Sequence, residues 1–446
     1  MNEKPFSEIL VESIPQIFFA ILLSIGLALF IKNIQKLIRN INLGRDKVIN
    51  DRRSERWRTM AMVALGQSKM MTRPVAGFFH ILIYAGFIII NIEVLEIILD
   101  GIFGTHRLFE FLGPLYNFLI GGFEILALLV LVACVVFLMR RNVLKLKRFW
   151  MREMTSFPRT DANLILITEI VLMSLFLFMN ASDSILQKRG IAHYVEAGSF
   201  PVSKIFVPLL TDFSSSALIA IERFCWWLHI IGILAFMNYL PYSKHLHILF
   251  AFPNTWYSDL DAKGKFNNLE SVTQEVKLML DPSLPPPASD GTAQRFGAKD
   301  VQDLTWKQLM DAYSCTECGR CTSQCPANIT GKKLSPRKIM MDTRDRLDEV
   351  GKQVDMHGIE YKDGKALLGD YITEEELWAC NTCNACVQAC PVNINPLSII
   401  MDMRRYLVME QSAAPAELNG MFTKIENNQA PWQFSPADRM NWAQEN

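Results

Sequence analysis

The sequence predicts an all-α protein in two parts, a bundle of five transmembrane helices followed by a helical domain that lies in water. Three observations support this fold class. The first half of the 446-residue chain contains five long apolar runs, the second half is polar with apolar residues at helical spacing, and one cysteine pattern occurs twice in that second half. The formal net charge is zero, so the composition gives no reason to expect a nucleic-acid partner.

Each apolar run approaches or exceeds the roughly 20 residues that cross a bilayer as a helix. The runs cover residues 15–37, 75–99, 115–139, 163–182 and 216–240. The first run does not resemble a cleavable signal, because it is long, lacks a basic stretch before it and is followed by Lys and Arg instead of small residues. Five spans are therefore predicted within a membrane domain of residues 1–250.

The basic residues of the short loops predict the orientation of this domain. Residues 36–73 contain ten Lys or Arg and residues 140–159 contain seven, whereas loops 100–114 and 184–214 contain one and three. Loops rich in Lys and Arg stay in the cytoplasm. The N-terminus is therefore expected outside, and the odd number of spans places the second half in the cytoplasm, where grouped cysteines are metal ligands more often than disulfides.

The second half divides into a predicted linker, a helical domain and a tail. The linker covers residues 251–300, with "DPSLPPPASDGTAQ" as its least structured stretch. Helical spacing begins at "DLTWKQLMDAYSC", and "SPRKIMMDTRDRLDEV" has a Ser-Pro helix start, which predicts a helical domain at 301–412. Residues 413–446 are predicted to be a tail that docks a partner.

The helical domain carries two runs of four cysteines, each closed by a proline. The spacing of two, two and three residues is typical of thiolates that hold a [4Fe–4S] cluster. The first run is Cys315, Cys318, Cys321 and Cys325, and the second is Cys380, Cys383, Cys386 and Cys390. Zinc ribbons or redox-active Cys-x-x-Cys pairs are the alternative, but zinc sites use two pairs of ligands and not two runs of four.

Two-cluster ferredoxins cross their ligands, since the fourth cysteine of each run binds the other cluster. Cluster 1 is therefore assigned to Cys315, Cys318, Cys321 and Cys390, and cluster 2 to Cys380, Cys383, Cys386 and Cys325. Over fifty residues separate the runs, which predicts a helical two-cluster domain. The remaining cysteines, Cys134 and Cys225, are predicted to be small core residues of the spans.

Four histidines are candidate ligands of a b-type haem, which imidazole pairs on facing helices can hold in a bundle. His80 lies in the second run, His229 in the fifth, and His245 and His247 at the cytoplasmic end of the fifth. Eighteen residues separate His229 from His247, which predicts one helix face and a separation of about 27 Å if Pro241 does not kink the helix. That distance suits two haem sites at different depths. The depth of His80 in the membrane does not decide whether it would pair with His229 or with His247.

Each intramembrane histidine could instead make a structural hydrogen bond, but the cost of a polar group in lipid favours function. His106, His193 and His357 lie outside the spans and are not expected to be ligands. The spans also contain acidic residues that could exchange protons with a quinol or form interhelical ion pairs. These weak candidates are Glu93, Glu96, Glu124, Glu169 and Glu222, the last of which is next to Arg223.

The segments "FFHILIYAGF" and "WWLHIIGILAFMNYLPYSKHLHI" resemble the five-span cytochrome b (gamma) subunit of respiratory nitrate reductases. The resemblance implies that His80 pairs with His247 around a haem near the cytoplasm. It also implies that His229 matches the ligand of an outer haem, whose partner position falls near Ile90 and is not a histidine. One b haem is therefore expected, with a second left open.

The segments "DLTWKQLMDAYSCTECGRCTSQCPA" and "LWACNTCNACVQACPV" resemble the ferredoxin domain of heterodisulfide-reductase-type Fe–S oxidoreductases. The fused order of the two halves is similar to that of electron-transfer-flavoprotein:menaquinone oxidoreductases. Those enzymes continue into cysteine-rich domains with Cys-Cys-Gly motifs, which are absent from this sequence and are expected on a separate subunit. The resemblance implies electron transfer between a cytoplasmic partner, with an electron-transfer flavoprotein favoured, and the quinone pool of a bacterial inner membrane.

Two alternatives to this reading remain. The same carriers could serve a partner that acts on a heterodisulfide, a sulfur compound, lactate or glycerol 3-phosphate. The chain could also be a non-catalytic Fe–S redox sensor or anchor. No nucleotide-binding glycine loop or flavin motif is evident, so the substrate site of an oxidoreductase complex is expected on a partner subunit.

Overall fold

The computed structural model describes residues 13–285 and 295–444, which are helical and contain isolated β-bridges but no strand. This agrees with the predicted all-α class. The N-terminal half, residues 13–246, contains α1 (Ile14–Ile41), α2 (Arg53–Met60), α3 (Pro74–Phe103), α4 (Pro114–Leu138), α5 (Phe157–Lys188), α6 (Val207–Leu210) and α7 (Ser215–Tyr239).

Five helices in the described part of the chain are long and apolar enough to cross a membrane, as predicted. They are Ile14–Ile41, Pro74–Phe103, Pro114–Val143, Phe157–Lys188 and Ser215–Tyr242. Each helix extends a few residues beyond its apolar run, because polar residues at the ends continue the helix. Pro74 and Pro114 start their helices at the first helical position, where a missing N–H costs no hydrogen bond.

The five long helices form one bundle with a shared apolar core. Helix α5 packs against α4 and α7, α3 packs against α4, and α1 lies across α3 and α7. Phe19 of α1 and Phe176 of α5 are among the buried side chains. A Cβ atom at Gly101 would lie 2.7 Å from the Phe19 ring, so a glycine is needed where α1 crosses α3.

The C-terminal half, residues 247–285 and 295–444, consists of short helices around a second core. These are α8 (His247–Trp256), α9 (Glu270–Leu280), α10 (Trp306–Tyr313), α11 (Arg320–Gln324), α12 (Pro326–Ile329), α13 (Pro336–His357), α14 (Glu374–Trp378), α15 (Ala385–Ala389), α16 (Pro396–Met409) and α17 (Ala416–Asn428). Most of the predicted unstructured stretch of the linker lies outside the described residues. The tail contains α17 and a 3-10 helix at Pro436–Ala443, with exposed Trp432 and Trp442.

The core of the C-terminal half continues into the N-terminal half. Leu37 and Ile41, at the end of α1, and Phe250 of α8 belong to the same buried cluster as the cysteine loops. Polar contacts reinforce this junction, since Asn40 Nδ2 donates to the Tyr313 hydroxyl at 3.0 Å. The cysteine-rich half is thus packed directly on the end of the bundle.

The expectation that His229 and His247 share one continuous helix is wrong. Helix α7 ends at Tyr239, and two 3-10 turns, at Leu240–Tyr242 and Lys244–Leu246, lead to a new helix that begins at His247. Pro241 has no N–H for the helical ladder and its ring crowds the preceding turn, so the α-helix ends there. The distance of about 27 Å, which assumed one helix, therefore does not apply.

We expect Arg337→Ala to destabilise the junction strongly. The Arg337 guanidinium is fully buried, pairs with Glu153 Oε1 at 2.7 Å and donates to the Arg148 carbonyl at 2.6 Å. Loss of one partner of a buried ion pair costs about 3–5 kcal/mol, because the other charge stays buried. The melting temperature in detergent should fall by several degrees, while Lys333→Ala, which removes an exposed ion pair with Glu375, should leave it nearly unchanged.

Candidate iron–sulfur and haem sites

Four cysteines from the two runs line a single cavity in the C-terminal half. They are the first three of the first run and the last of the second, namely Cys315, Cys318, Cys321 and Cys390. This is the set assigned to cluster 1 from the sequence. The structure therefore brings together the side chains that the crossed pairing requires.

The two cysteine loops share one backbone conformation, in agreement with the sequence repeat. Glu317 and Gly319 have φ angles of 53° and 70°, and the equivalent Thr382 and Asn384 have 55° and 59°. Left-handed residues among right-handed ones turn successive N–H groups towards one point, which suits an anionic group such as a cluster. The loops are thus shaped alike to surround one cluster each.

The crossing arises because the two short helices that follow these loops pack against each other. Helices α11 and α15 each contain five residues and are in contact. Cys325 is the C-terminal cap of α11, and Cys390 is that of α15. Each helix therefore carries its last cysteine away from its own loop and towards the other one.

The second set of cysteines is also gathered, and it lies nearer the surface. Cys325 is within electrostatic range of Cys383, and Cys386 is within range of both Cys380 and Cys325. Cys383 is exposed, whereas Cys325 and Cys386 are buried. The set is the one assigned to cluster 2 from the sequence.

The environment of the sulfurs fits bound iron–sulfur clusters. Burial raises the pKa of Cys315 to about 11 and that of Cys390 to about 12, so iron must displace a proton from each thiol. The Ile394 amide donates to Cys390 Sγ at 3.3 Å, and the Thr382 amide donates to Cys380 Sγ at 3.4 Å. Such bonds stabilise negative charge on cluster sulfurs and tune their potential.

Within the described residues, no group of three His, Cys, Asp or Glu side chains is tight enough to hold a single metal ion. The first cysteine set surrounds a cavity instead of converging on one point. A cluster of four irons spreads its thiolate ligands over its outer corners. The arrangement therefore fits [4Fe–4S] clusters as the sequence predicted.

The structure brings His80 and His247 together, with their ring planes at 45° to each other. Their ring centroids are 6.3 Å apart, although one residue lies in α3 and the other at the start of α8. Two imidazoles on one metal place their centroids about 6 Å apart, because each metal–nitrogen bond is about 2 Å. The pair that the resemblance implied is thus spaced to bind one haem iron.

The hydrogen bonds of this pair suit metal ligation. His247 Nδ1 lies 3.1 Å from the Lys244 carbonyl, which can only accept, so Nδ1 carries the proton and Nε2 keeps its lone pair. His80 Nδ1 is buried and has no hydrogen-bond partner among the described residues. Burial lowers the pKa of His247, which keeps this imidazole neutral.

The other histidines have different surroundings. His245 lies 5.6 Å from His247 and packs on Phe236, so it is a neighbour of the pair. His229 is buried with its ring edge-on to Phe176 at 6.1 Å, and in the described chain its contacts include no second histidine. His106 lies 3.2 Å from Asp183, His193 contacts Tyr194, and His357 stacks on Tyr361.

The first cysteine set is joined to the helix that carries His80. Arg320, between Cys318 and Cys321, donates to the Lys69 carbonyl at 2.8 Å. The Lys69 ammonium donates in turn to the Cys390 carbonyl at 3.2 Å. Helix α3 begins five residues after Lys69, and His80 lies about 9 Å along it.

At the opposite end of the bundle is a cavity of about 300 Å³ that sequence reasoning did not find. Phe19, Met179, Trp226 and Trp227 form its apolar walls, and Glu93 is one of its polar groups. Glu93 is only 3% exposed, and its Oε2 atom has no hydrogen-bond partner in the described structure. A buried polar atom of this kind calls for a hydrogen-bond partner, which none of the described residues supplies.

Glu96 and Glu124, two other acidic candidates near this end, accept hydrogen bonds from uncharged groups and, among the described residues, do not form the interhelical ion pairs of the alternative. Glu96 accepts from the Tyr116 hydroxyl at 2.8 Å, and Glu124 accepts from the Val202 amide at 2.8 Å. Arg107, the lone basic residue of loop 100–114, pairs with Asp183 at 2.6 Å. The sequence signal that could have indicated this network is the single basic residue, Arg107, in the loop that follows the acidic residues of the second run.

The fold and these sites define a membrane-associated iron–sulfur protein with an electron-transfer role. Two family models described as a 4Fe-4S dicluster domain match residues 314–394 and 283–330. No solved structure matches the chain significantly.

Comparison with curated proteins gives relatives that are named oxidoreductases. A probable iron-sulfur-binding oxidoreductase, FadF, of Bacillus subtilis is 28% identical over 96% of this chain and 61% of its own length. An EtfAB:quinone oxidoreductase of Syntrophomonas wolfei is 26% identical over 89% of this chain and 55% of its own. A probable membrane-anchored ferredoxin of Chromohalobacter salexigens is 34% identical over 33% of this chain and 24% of its own.

The chain therefore spans little more than half the length of the two relatives that it matches along most of its own sequence. The 4Fe-4S dicluster match and these relatives support an electron-transfer role of the iron–sulfur oxidoreductase type.

Proposed function

We propose that this chain is the membrane subunit of an electron-transfer-flavoprotein:quinone oxidoreductase. It passes electrons between a cytoplasmic Fe–S or flavoprotein partner and the quinone pool through two [4Fe–4S] clusters and one b haem. The observation that carries the proposal is the His80–His247 pair, spaced at 6.3 Å. Leu246, next to His247, packs in the same buried cluster as Cys315 and Cys390 of the first cysteine set.

The order of the carriers follows from their surroundings. Cys383 of the second set is exposed, so cluster 2 is accessible to a partner protein. The first set is tied to the end of α3 through Arg320 and Lys69, and α3 holds His80. The path is therefore partner, cluster 2, cluster 1, haem and quinone, and the chemistry permits electron flow in either direction.

The residues of the chain hold and order the carriers. When bound, the clusters and the haem supply one-electron redox centres. The crossed cysteines would fix the clusters to each other, and His80 and His247 would hold the haem iron. Burial of Cys315 and Cys390 keeps water away from the sulfurs of cluster 1.

The cavity at the outer end of the bundle is the proposed quinone site. Its tryptophans suit a flat ring. The Glu93 carboxyl, whose Oε2 atom has no hydrogen-bond partner among the described residues, suits a quinone oxygen that gains or loses a proton. Glu93 is thirteen residues beyond His80 on α3, about 20 Å along the helix. The excess of Lys and Arg in the loops at the other end supports an outside location for this cavity.

The partners are proposed from the relatives and from the tail. One relative is called an EtfAB:quinone oxidoreductase, which favours an electron-transfer flavoprotein as one partner, and a cysteine-rich Fe–S subunit is proposed as the other. The tail at 413–446 exposes Trp432, Phe434 and Trp442, which suit docking of that subunit.

The test of this function is oxidation of the reduced protein by a quinone. The protein is purified in nanodiscs, reduced anaerobically and mixed with a water-soluble menaquinone analogue, and haem oxidation is followed optically. We expect rapid oxidation by the wild type. Glu93→Gln should slow it about 10²-fold, because this substitution removes the proton-exchanging group but keeps the size of the side chain.

Glu169→Gln is the matched control, since Glu169 is also within a span but does not line the cavity. It should leave the rate unchanged. Absence of any quinone reaction in a wild-type protein that contains haem would contradict the proposed function and favour a sensor or anchor. An equal effect of both substitutions would contradict the role of Glu93.

A further inference from the structure

A buried group of charged side chains joins the N-terminal half to the first cysteine loop. The Lys244 ammonium forms an ion pair with Glu317 and lies 3.7 Å from Asp161 Oδ2. It also donates to the Pro158 carbonyl at 2.6 Å. The Lys244, Glu317 and Asp161 side chains are only 10%, 3% and 2% exposed, so the group is shielded from solvent.

Lys244 contacts both proposed redox sites. Its side chain contacts Glu317, which lies between Cys315 and Cys318 in the loop of cluster 1. Its backbone carbonyl accepts the hydrogen bond of His247 Nδ1. One residue therefore contacts the cluster loop with its side chain and the haem ligand with its backbone.

The backbone contact matters because it fixes the imidazole. A histidine that ligates a metal through one nitrogen is oriented by the hydrogen bond of the other, and loss of such a partner typically costs 10–100-fold in affinity or activity. The Lys244 side chain is held by the Glu317 carboxylate and the Pro158 carbonyl, and its backbone amide donates to Asp161 Oδ2 at 3.1 Å. The Glu317 contact therefore connects the cluster loop to the residue whose carbonyl orients the His247 ring.

Stability alone does not account for this ion pair. Buried ion pairs contribute little net stability, because desolvation offsets their attraction. Both carboxylates also have other donors, since Asp161 accepts from the Tyr239 hydroxyl at 2.6 Å and Glu317 pairs with Arg344 at 2.8 Å. Removal of the Lys244 charge leaves Glu317 paired with Arg344 and Asp161 hydrogen-bonded to Tyr239, so the variant is expected to fold with reduced stability.

We propose that Lys244 is a positioning residue that holds the loop of cluster 1 and the His247 imidazole in fixed register for electron transfer. The inference rests on the proposed function. In the transfer that it supports, cluster 1 loses one electron and is oxidised while the haem iron is reduced from ferric to ferrous, or the reverse, with no proton or co-reactant required.

The test compares Lys244→Met with the wild type by two measurements. The clusters are reduced by a flash-generated deazaflavin radical, and subsequent haem reduction is followed at its α band. The midpoint potential of the haem is titrated separately. Lys244→Met should retain haem and both clusters, slow haem reduction about tenfold or more, and shift the haem potential.

Three further variants define the interpretation. Lys244→Arg keeps a cation that reaches Glu317 and should restore most of the rate. Glu317→Gln leaves Lys244 in place but weakens its anchor, and it should slow the same step. Lys338→Met removes a lysine that also pairs with two carboxylates, Asp342 and Glu376, but lies away from the junction, and it should resemble the wild type.

If Lys244→Met and Glu317→Gln both keep the haem reduction rate and the haem midpoint potential of the wild type, the inference is overturned while the proposed function stays intact. A slowed rate without rescue by Lys244→Arg would also overturn it. If Lys244→Met loses its haem, Glu317→Gln, which does not alter the backbone next to His247, decides the question. Absence of haem from the wild type would instead overturn the proposed function.

Discussion

The b-haem absorbance should disappear from His80→Ala and from His247→Ala, while the iron–sulfur clusters remain. Each substitution removes one of two imidazoles whose rings are 6.3 Å apart, and a single remaining imidazole cannot hold a six-coordinate haem in the bundle. The measurement is a reduced-minus-oxidised spectrum together with non-haem iron per chain. The iron content should stay at the wild-type value, because the cysteine loops do not depend on either imidazole for their shape.

His229→Ala is the matched control, since it also removes a buried histidine from a span. It should keep the haem, because the described surroundings of His229 include Phe176 but no second histidine. Retention of full haem in both His80→Ala and His247→Ala would refute the pairing. Loss of haem from His245→Ala but not from His247→Ala would show that His245, and not His247, is the second haem ligand.

Cys390→Ser should damage the cluster bound by the first cysteine run, although Cys390 belongs to the second. Its sulfur lines the same cavity as Cys315, Cys318 and Cys321. Cys325→Ser should damage the other cluster in the same crossed manner, because Cys325 lies near Cys383. Each substitution should lower non-haem iron by up to about four per chain and alter one of two cluster signals in electron paramagnetic resonance.

The signals are assigned with Cys318→Ser and Cys383→Ser, which alter only the loop of their own run. Cys390→Ser should match Cys318→Ser, and Cys325→Ser should match Cys383→Ser. Cys134→Ser and Cys225→Ser are controls, since both residues are buried in the bundle and should leave iron content unchanged. A match of Cys390→Ser to Cys383→Ser would show that each run binds its own cluster.

The sequence allowed accurate prediction of features that depend on composition and regular spacing. The five long helices coincide with the five apolar runs, because about 20 apolar residues in succession specify a membrane-crossing helix with little help from tertiary contacts. The gathering of Cys390 with the first run also followed from spacing. Two runs of four cysteines, each closed by a proline, are typical of two-cluster ferredoxins. In these proteins the fourth cysteine of each run binds the cluster of the other run.

Other features depend on tertiary contacts that no local pattern reveals. The sequence indicates only that Pro241 can kink the helix. In the structure the chain makes two 3-10 turns there, and His247 lies next to His80. The contact of Lys244 with Glu317 joins residues 73 positions apart. The outer cavity combines α1, α3, α5 and α7, and only their packing shows that Glu93 Oε2 has no hydrogen-bond partner in the described part of the chain.

The most direct test of the proposed electron path is a cofactor count on the purified wild-type protein. A reduced-minus-oxidised spectrum with pyridine haemochrome quantification gives b haem per chain, and a colorimetric assay gives non-haem iron. We predict one b haem and about eight non-haem irons per chain. Iron without haem would contradict it and favour a redox sensor or anchor, whereas two haems would show that His229 binds iron with a second ligand.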